Sequence, residues 1–213
     1  MSGTMKYTCS SCTEFSCYHH MDAHPANCPC RDEEIVQESV RLIQQPENRK
    51  IGYSAARVEA EGYCRKTRLE EIILFCKKMG YHNLGLAFCF GLREEARVVS
   101  RILRDAGFTV NAVVCKCGEV PKSVMGITPE QTVHGNPDET ECNPIGQALL
   151  LNKAKTDFNI MLGLCVGHDT LFMKYSEAPM TVFAVKDRVL AHNPLGAVYA
   201  SHYFGRRFPK EEK

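Results

Sequence analysis

The chain has 213 residues, 44% of them hydrophobic, with 26 basic and 25 acidic side chains. A chain of this size can bury one domain core and carry an appendage, and its nearly cancelling charge excludes a chain-wide field aimed at nucleic acid or an anionic membrane. The basic tail formed by Arg206, Arg207, Lys210 and Lys213 is diluted by Glu211 and Glu212 and reads as a solvated end. No stretch approaches the roughly 18 apolar residues of a membrane span, and the first residues hold no apolar run of signal-peptide length, so the expected location is cytoplasmic. In a reducing compartment the 12 cysteines point away from disulfides and toward metal binding or redox chemistry.

Residues 1–32 place Cys9, Cys12, Cys17, Cys28 and Cys30, with His19, His20 and His24, among small and polar residues. Such a segment cannot hold itself together by apolar burial. Cys9-x-x-Cys12 has the spacing at which a tight turn aims two thiolates at one ion, and Cys17 with Cys28 or Cys30 would complete four ligands. Zinc would supply folding free energy here, and an iron–sulfur cluster can use the same four thiolates, so spacing leaves the metal open. His19 and His20 read as solvated, because the cysteines already suffice.

From Asp32 the pattern turns helical. Asp32 is placed to cap a helix with Glu33 and Glu34 in its first turn, Val36, Val40 and Ile43 on its apolar face and Pro46 as its stop. A second helix is predicted over about residues 48–62, with Cys64 just past its end. Thr67-Arg-Leu-Glu70 is a capping box opening a third helix, whose stripe of Leu69, Ile72, Ile73 and Cys76 makes Cys76 a core residue. Apolar runs of strand length follow at residues 84–90, 110–115, 158–164 and 181–185. Helices are predicted between them near 93–106 and 145–155, and Asn193-Pro194 opens a last helical stretch.

Strands covered on both faces lack alternation, and a helix between two strands implies a crossover to a parallel neighbour. The expected fold class is α/β, with an open, mostly parallel sheet of about four or five strands and helices on both faces, Rossmann-like, preceded by the cysteine-rich knuckle and N-terminal helices. The expected domains are a metal-binding knuckle at 1–32 and an α/β domain at 33–213. Residues 121–141 are longer than an ordinary loop and read as a functional flap or an irregular excursion.

Cys89, Cys115 and Cys165 each fall at the end of a predicted strand, and Cys142 stands just before the helix opened by Asn143-Pro144. In an open parallel sheet, ligands bind beyond the carboxyl ends of the strands, and neighbouring strands lie roughly 4.8 Å apart. Thiols from four distant segments are therefore expected to meet in one site, with Cys142 favoured as a thiolate by the helix start beside it. Cys64 could join them or serve as a small buried residue at a helix end. Around this site His168 is placed to donate a proton, Asp169 to cap the helix after it, and Lys186 and Arg188 to hold an anionic substrate. Gly163 and Gly167 fit neither a dinucleotide fingerprint nor a phosphate loop.

The chain resembles the uncharacterised cysteine-rich, metal-binding family of anaerobic bacteria and archaea known as domain of unknown function 1847. The resemblance covers nearly the whole chain. It rests on Cys9-x-x-Cys12-x4-Cys17 with Asn27-Cys28-Pro29, on Glu59-Ala-Glu-Gly-Tyr-Cys64 and on Ala87-Phe-Cys89. Further on it rests on Cys142-Asn-Pro-Ile-Gly-Gln147, on Gly163-Leu-Cys-Val-Gly-His-Asp169 and on Lys186-Asp-Arg-Val-Leu-Ala-His-Asn-Pro194. The chain departs from the family at Ala191, where the family pattern has glycine. The resemblance implies Cys9, Cys12, Cys17 and Cys28 as one ligand set and Cys64, Cys89, Cys115, Cys142 and Cys165 as a second, with Cys30 and Cys117 as extras.

The function expected is metal binding through two cysteine sets, by a 4Fe-4S iron–sulfur cluster or zinc, with redox or sulfur-handling chemistry on a small substrate at the sheet edge. The alternatives are a zinc-binding adaptor without catalysis and a metal-free cysteine enzyme. The expected partner is a small molecule or a redox protein, and neither nucleic acid nor a membrane.

Overall fold

The computed structural model of the chain describes residues 7–21, 23–133 and 135–208. Lys210 and Lys213 of the basic tail lie outside the described residues. The chain separates into two compact units, Met1–Glu61 and Gly62–Lys213. Two helices expected from the sequence to belong with the sheet thus fall mostly with the cysteine-rich segment.

In the first unit, single 3-10 turns at Cys9–Ser11 and Pro29–Arg31 and a short helix α1 (Ser16–His19) hold the cysteines. Phe15 and His20, in left-handed conformation with φ 48° and 53°, bound α1 on either side. Helix α2 (Glu33–Ile43) starts where Asp32 accepts a hydrogen bond from the Ile35 N–H at 3.4 Å, with Glu33 and Glu34 complementing the helix dipole. Pro46 both stops this helix and opens α3 (Pro46–Gly62), since proline fits a first helical turn whose N–H has no intrahelical acceptor.

The second unit opens with α4 (Arg68–Met79), whose start is the reciprocal capping box of Thr67 and Glu70 and whose end is Gly80 at φ 71°. Strands and helices then alternate through β1 (Asn83–Phe88), α5 (Arg93–Asp105), β2 (Thr109–Val114), α6 (Pro144–Lys153), β3 (Phe158–Leu164), α7 (His168–Tyr175) and β4 (Met180–Val185). Short helices α8 (Leu195–Tyr199) and α9 (Ser201–Phe204) follow. All pairings in the four-stranded sheet are parallel, in the order β2-β1-β3-β4. The chain moves outward from β1 to β2 and then returns past β1 to β3. That reversal opens a crevice at the carboxyl ends of β1 and β3, where open α/β sheets bind ligands.

Side chains of successive strand residues point to opposite faces, and the two faces are packed by different helices. Leu84, Leu86, Phe158, Ile160 and Leu162 meet Ile72 and Cys76 of α4 and Ala96, Val99 and Leu103 of α5. Ala87, Met161 and Leu164 meet Ala148 and Leu151 of α6 and Phe172 of α7. The sheet thus has helices on both faces, and Cys76 is core, as its place in the helical stripe predicts. On the α6 side, buried Asn159 accepts a hydrogen bond from the Thr156 hydroxyl at 2.8 Å and donates one to the Ser176 hydroxyl at 2.9 Å. Its cross-strand neighbour is Gly85, where a Cβ would collide with the Asn159 Oδ1.

At Gly163 (φ 68°) the register between β3 and β4 shifts, and a Cβ there would collide with Leu92. The connection from β2 to α6 is the predicted irregular excursion, with its two ends pinned together. Glu141 N–H donates to Val120 O at 2.7 Å, Lys122 N–H donates to Glu139 O at 3.2 Å, and Lys122 Nζ pairs with Glu139 at 2.8 Å. The excursion leaves and rejoins the sheet at one place, which returns Cys142 to the end of β2. Among the described residues no helix is long and apolar enough to cross a membrane.

Candidate metal centre

Ladder hydrogen bonds carry past the ends of β1 and β2 to the cysteines. Cys89 N–H donates to Leu162 O at 3.1 Å and Cys115 N–H donates to Phe88 O at 2.9 Å, so both residues keep strand register. Parity then puts Cys89 on the face of Ala87 and Cys115 on the face of Val113, beneath α6 and α7. Cys142 arrives from the other side. Asn143 caps α6 by accepting the Gly146 N–H at 2.7 Å, and its own N–H donates to Cys115 O at 2.6 Å. The sulfurs of Cys115 and Cys142 stand 3.7 Å apart, and Cys115 also hydrogen-bonds to Cys89.

Buried Gln147, on the first turn of α6, ties these strand ends together. Its Nε2 donates to Val113 O at 2.7 Å and to Phe88 O at 3.1 Å. Its Oε1 has no hydrogen-bond partner among the described residues.

The protons in this group are unequally shared. Cys115 is buried between two other sulfurs, and its hydrogen bonds to Cys142 and Cys89, with burial, raise its pKa and keep it a thiol. Those hydrogen bonds stabilise thiolates on either side. Cys142 is drawn down to about 4 by Cys115 first and then by His168, with Lys116 adding to the effect. Cys89 is drawn down to about 5 by Cys115 first and then by the Gly91 N–H and Lys186, against the cost of burial. The Lys186 ammonium lies over the adjacent glycines, 3.6 Å from where a Gly91 Cβ would sit and 3.7 Å from a Gly163 Cβ.

Cys165 stands at the rim. It follows β3, accepts the His168 and Asp169 N–H groups at its carbonyl, and places its sulfur 3.3 Å from Arg188 Nη2. Cys165 raises the Arg188 pKa most strongly, and Cys89 and Cys142 add to the effect from farther away. Of the four sulfurs expected to share one site, Cys115 stands between Cys142, at 3.7 Å, and Cys89, and Cys165 lies apart from them with its sulfur on Arg188. Cys64 is exposed in left-handed conformation, φ 55°, and among the described residues no hydrogen bond joins it to these sulfurs. Cys117, half-buried past the end of β2, donates to Asn143 O at 3.7 Å.

His168, the first residue of α7, has its Nε2 at 3.4 Å from Glu141 Oε1. Its pKa is raised by Cys142 and Glu141 against partial burial. Asp169 lies inside the first turn of α7, with Gly167 at the N-cap, and accepts the Thr170 N–H at 2.8 Å. Glu141 could not be singled out from the sequence. It is 7% exposed, and it accepts the Cys142 N–H at 2.8 Å. One donor atom from each of Glu141, Cys142 and His168 lies within 4.8 Å of the others, as a metal ion requires.

The first unit has a second such group. His24 Nδ1 is 3.9 Å from Cys28 Sγ, and Cys30 completes a set of three donors within 4.8 Å of one another. Cys30 is held protonated by a hydrogen bond to Cys28 first, with Cys17 and Cys9 close enough to add to the effect. Cys12 lies at the end of the turn begun by Cys9, donating its N–H to Cys9 O at 3.1 Å. His24 and Cys30 therefore stand with the expected ligands, while His19 and His20 are exposed. Among the described residues, which include all 12 cysteines, every thiol is free.

Fold and site together define an α/β protein with a parallel sheet and cysteine-rich groups able to hold a metal. The sequence profile of the family described as Protein of unknown function (DUF1847) matches residues 28–183. The chain is also 45% identical over 195 residues to Uncharacterized protein MJ0455 of Methanocaldococcus jannaschii, an alignment covering 92% of this chain and 95% of that one. The chain belongs to this family. No solved structure matches it.

Proposed function

We propose that the protein is a metalloprotein whose sheet-edge centre, carried by Cys89, Cys115, Cys142 and Cys165, handles electrons or sulfur for a small anionic substrate. The observation that carries this reading is the contact of thiols from three segments far apart in sequence, backed by Lys186, Arg188 and His168. A set of packing cysteines needs no cations. Thiolates do, because burying negative sulfur is costly unless it is paired or bound to a metal.

The donors fit either candidate group. Soft thiolates suit an iron–sulfur cluster or zinc, and the same residues meet the ligand count of a 4Fe-4S centre if Cys165 turns inward from Arg188. When bound, such a group supplies electron transfer or Lewis acidity. The chain's own contribution is the rest: Lys186 and Arg188 attract and orient an anion at the mouth, and His168 holds a proton beside Cys142. In the first unit, Cys9, Cys12, Cys17 and Cys28, with His24 and Cys30 beside them, form a structural zinc or iron–sulfur knuckle. The site is aimed at a small molecule or a redox protein, and nothing in its charge favours nucleic acid.

Anaerobic purification followed by absorbance spectroscopy and iron, sulfide and zinc assays tests this reading. Iron with matching sulfide and a brown chromophore supports the cluster, whereas a colourless protein holding zinc removes that version. A separate reading as a metal-free cysteine enzyme draws on the low pKa of Cys142. It requires that activity survive complete metal removal and vanish when that one thiol is alkylated.

A further inference from the structure

We infer that the sheet edge holds two adjacent metal positions bridged by Cys142, a thiol-rich one toward Cys89 and Cys115 and a mixed one formed by Glu141, Cys142 and His168. This rests on the metalloprotein reading above and extends it to a site of different chemistry.

The donors sort into two groups around one sulfur. On one side of Cys142 the neighbour is the Cys115 thiol, 3.7 Å away, with Cys89 against the far side of Cys115. On the other side the neighbours are a carboxylate and an imidazole, with Oε1 and Nε2 3.4 Å apart and all three donor atoms within 4.8 Å. Zinc holds sulfur at about 2.3 Å and nitrogen or oxygen at about 2.0–2.2 Å, so ligands of one tetrahedral ion stand roughly 3.2–3.8 Å from each other. The mixed group is within small side-chain adjustments of that spacing. Cys89, Cys115, Cys142, Glu141 and His168 are five donors before Cys165 is counted, more than one tetrahedral ion accepts. A thiolate has lone pairs enough to serve two ions, and Cys142 is the residue common to both groups.

The surroundings of Glu141 support a ligand role. The carboxylate is 7% exposed, and among the described residues its ion-pair partner is His168, with no lysine or arginine paired to it. It also accepts the Cys142 N–H at 2.8 Å and feels the more distant charge of Lys122, and a carboxylate this enclosed is a fit ligand for a divalent cation. Three protein ligands leave a fourth position for water or substrate, the arrangement of catalytic rather than structural sites. One oxygen, one nitrogen and one sulfur donor suit a borderline divalent ion, zinc or ferrous iron, better than the hard ions magnesium and calcium.

The test uses the full-length chain, stripped of metal under anaerobic conditions, reloaded with zinc or with cobalt as a spectroscopic probe, and assayed for equivalents bound per chain. Glu141→Gln keeps the acceptor for the Cys142 N–H and so preserves the fold, and His168→Gln changes a half-buried residue. Circular dichroism confirms that each variant is folded. Each is expected to lose one equivalent relative to wild type while the sulfur-to-cobalt absorption of the thiol-rich position survives. Cys115→Ser loses a different equivalent, so that Glu141→Gln combined with Cys115→Ser loses two, and Cys142→Ser alone also loses two. Wild-type stoichiometry in both Glu141→Gln and His168→Gln overturns the mixed position. Loss of the same single equivalent in every variant, with no additivity, overturns the division into two. If Cys89→Ser and Cys115→Ser leave metal content unchanged, the failure is instead that of the thiol-rich centre itself.

Discussion

The sulfurs of Cys115 and Cys142, 27 residues apart in the chain, lie 3.7 Å from each other. Each is held by backbone rather than by its own side chain. Cys115 continues the β2 ladder onto Phe88 O, and the Asn143 N–H, next to Cys142, closes on Cys115 O at 2.6 Å. The intervening excursion is long, yet the bonds between Val120 and Glu141 and between Lys122 and Glu139 fix both its ends, so the thiols are set against each other before any ligand arrives.

That arrangement has a consequence for reactivity. In metal-free protein, Cys142, drawn down to about 4, is a thiolate throughout the neutral range. Its alkylation by iodoacetamide, mapped by mass spectrometry, should be nearly independent of pH between 5.5 and 8. An ordinary thiol near 8.5 would react about tenfold faster for each pH unit over that range. Buried Cys115 should resist labelling until Cys142 is blocked. A Cys142 rate that climbs tenfold per unit would show that its neighbours do not stabilise the thiolate.

Cys76 shows the opposite behaviour. It is fully buried in the core between α4 and the sheet, and burial first, with nearby Asp157 second, pushes it up to about 12. A folded-state pKa above the unfolded one stabilises the protein fully below about pH 9 and loses that contribution as pH rises from 9 toward 12. Urea unfolding across this interval should therefore show stability falling with pH in the wild type and falling less steeply in Cys76→Ala. The variant should itself be less stable at pH 7, because it leaves a small cavity.

Gln147→Leu removes the amide that joins Phe88 O and Val113 O. Both carbonyls lose their side-chain donor, although Phe88 O keeps the Cys115 N–H and removal of the unpartnered Oε1 offsets part of the cost. The expected loss is about 1–2 kcal/mol in chemical denaturation. Metal affinity should also weaken, since Cys89 and Cys115 lie just beyond the tethered carbonyls.

Ala191 and His192 both have positive φ, 50° and 63°, in the turn after Lys186-Asp187-Arg188. Alanine pays a steric cost there that glycine avoids, roughly 1–2 kcal/mol, offset partly by the greater freedom of glycine in the unfolded chain. Ala191→Gly should raise the melting temperature by a few degrees, corresponding to about 0.5–1 kcal/mol. An unchanged or lower melting temperature would show that the turn carries no such strain.

Much of the sheet could be read from the sequence because its signals are local. Phe158–Leu164 is a strand with the limits its apolar run predicts, and Thr67 with Glu70 caps α4 as their spacing requires. The convergence of Cys89, Cys115 and Cys142 was legible too, since strand-end thiols in a parallel sheet can go to only one edge. Glu141 was not. A glutamate in a polar connection has no sequence signal for burial, and its burial arises from the bonds that pin residues 120–122 to 139–141. His24 was passed over for a related reason, and Cys30 was read only as an alternative to Cys28: four cysteines at good spacing satisfied the ligand count, and proximity through the 3-10 turn at Pro29–Arg31 is not visible in spacing. Cys64 is exposed, which removes the reading of it as a small buried residue at a helix end.

A metal centre and a patch of core cysteines differ in what the sheet-edge thiols hold. Metal and acid-labile sulfide per chain, measured on anaerobically purified wild type and Cys115→Ser side by side, test the difference most directly. Cys115→Ser is expected to lose the metal of the sheet edge and keep that of the N-terminal knuckle. Identical metal content in the two proteins would contradict it.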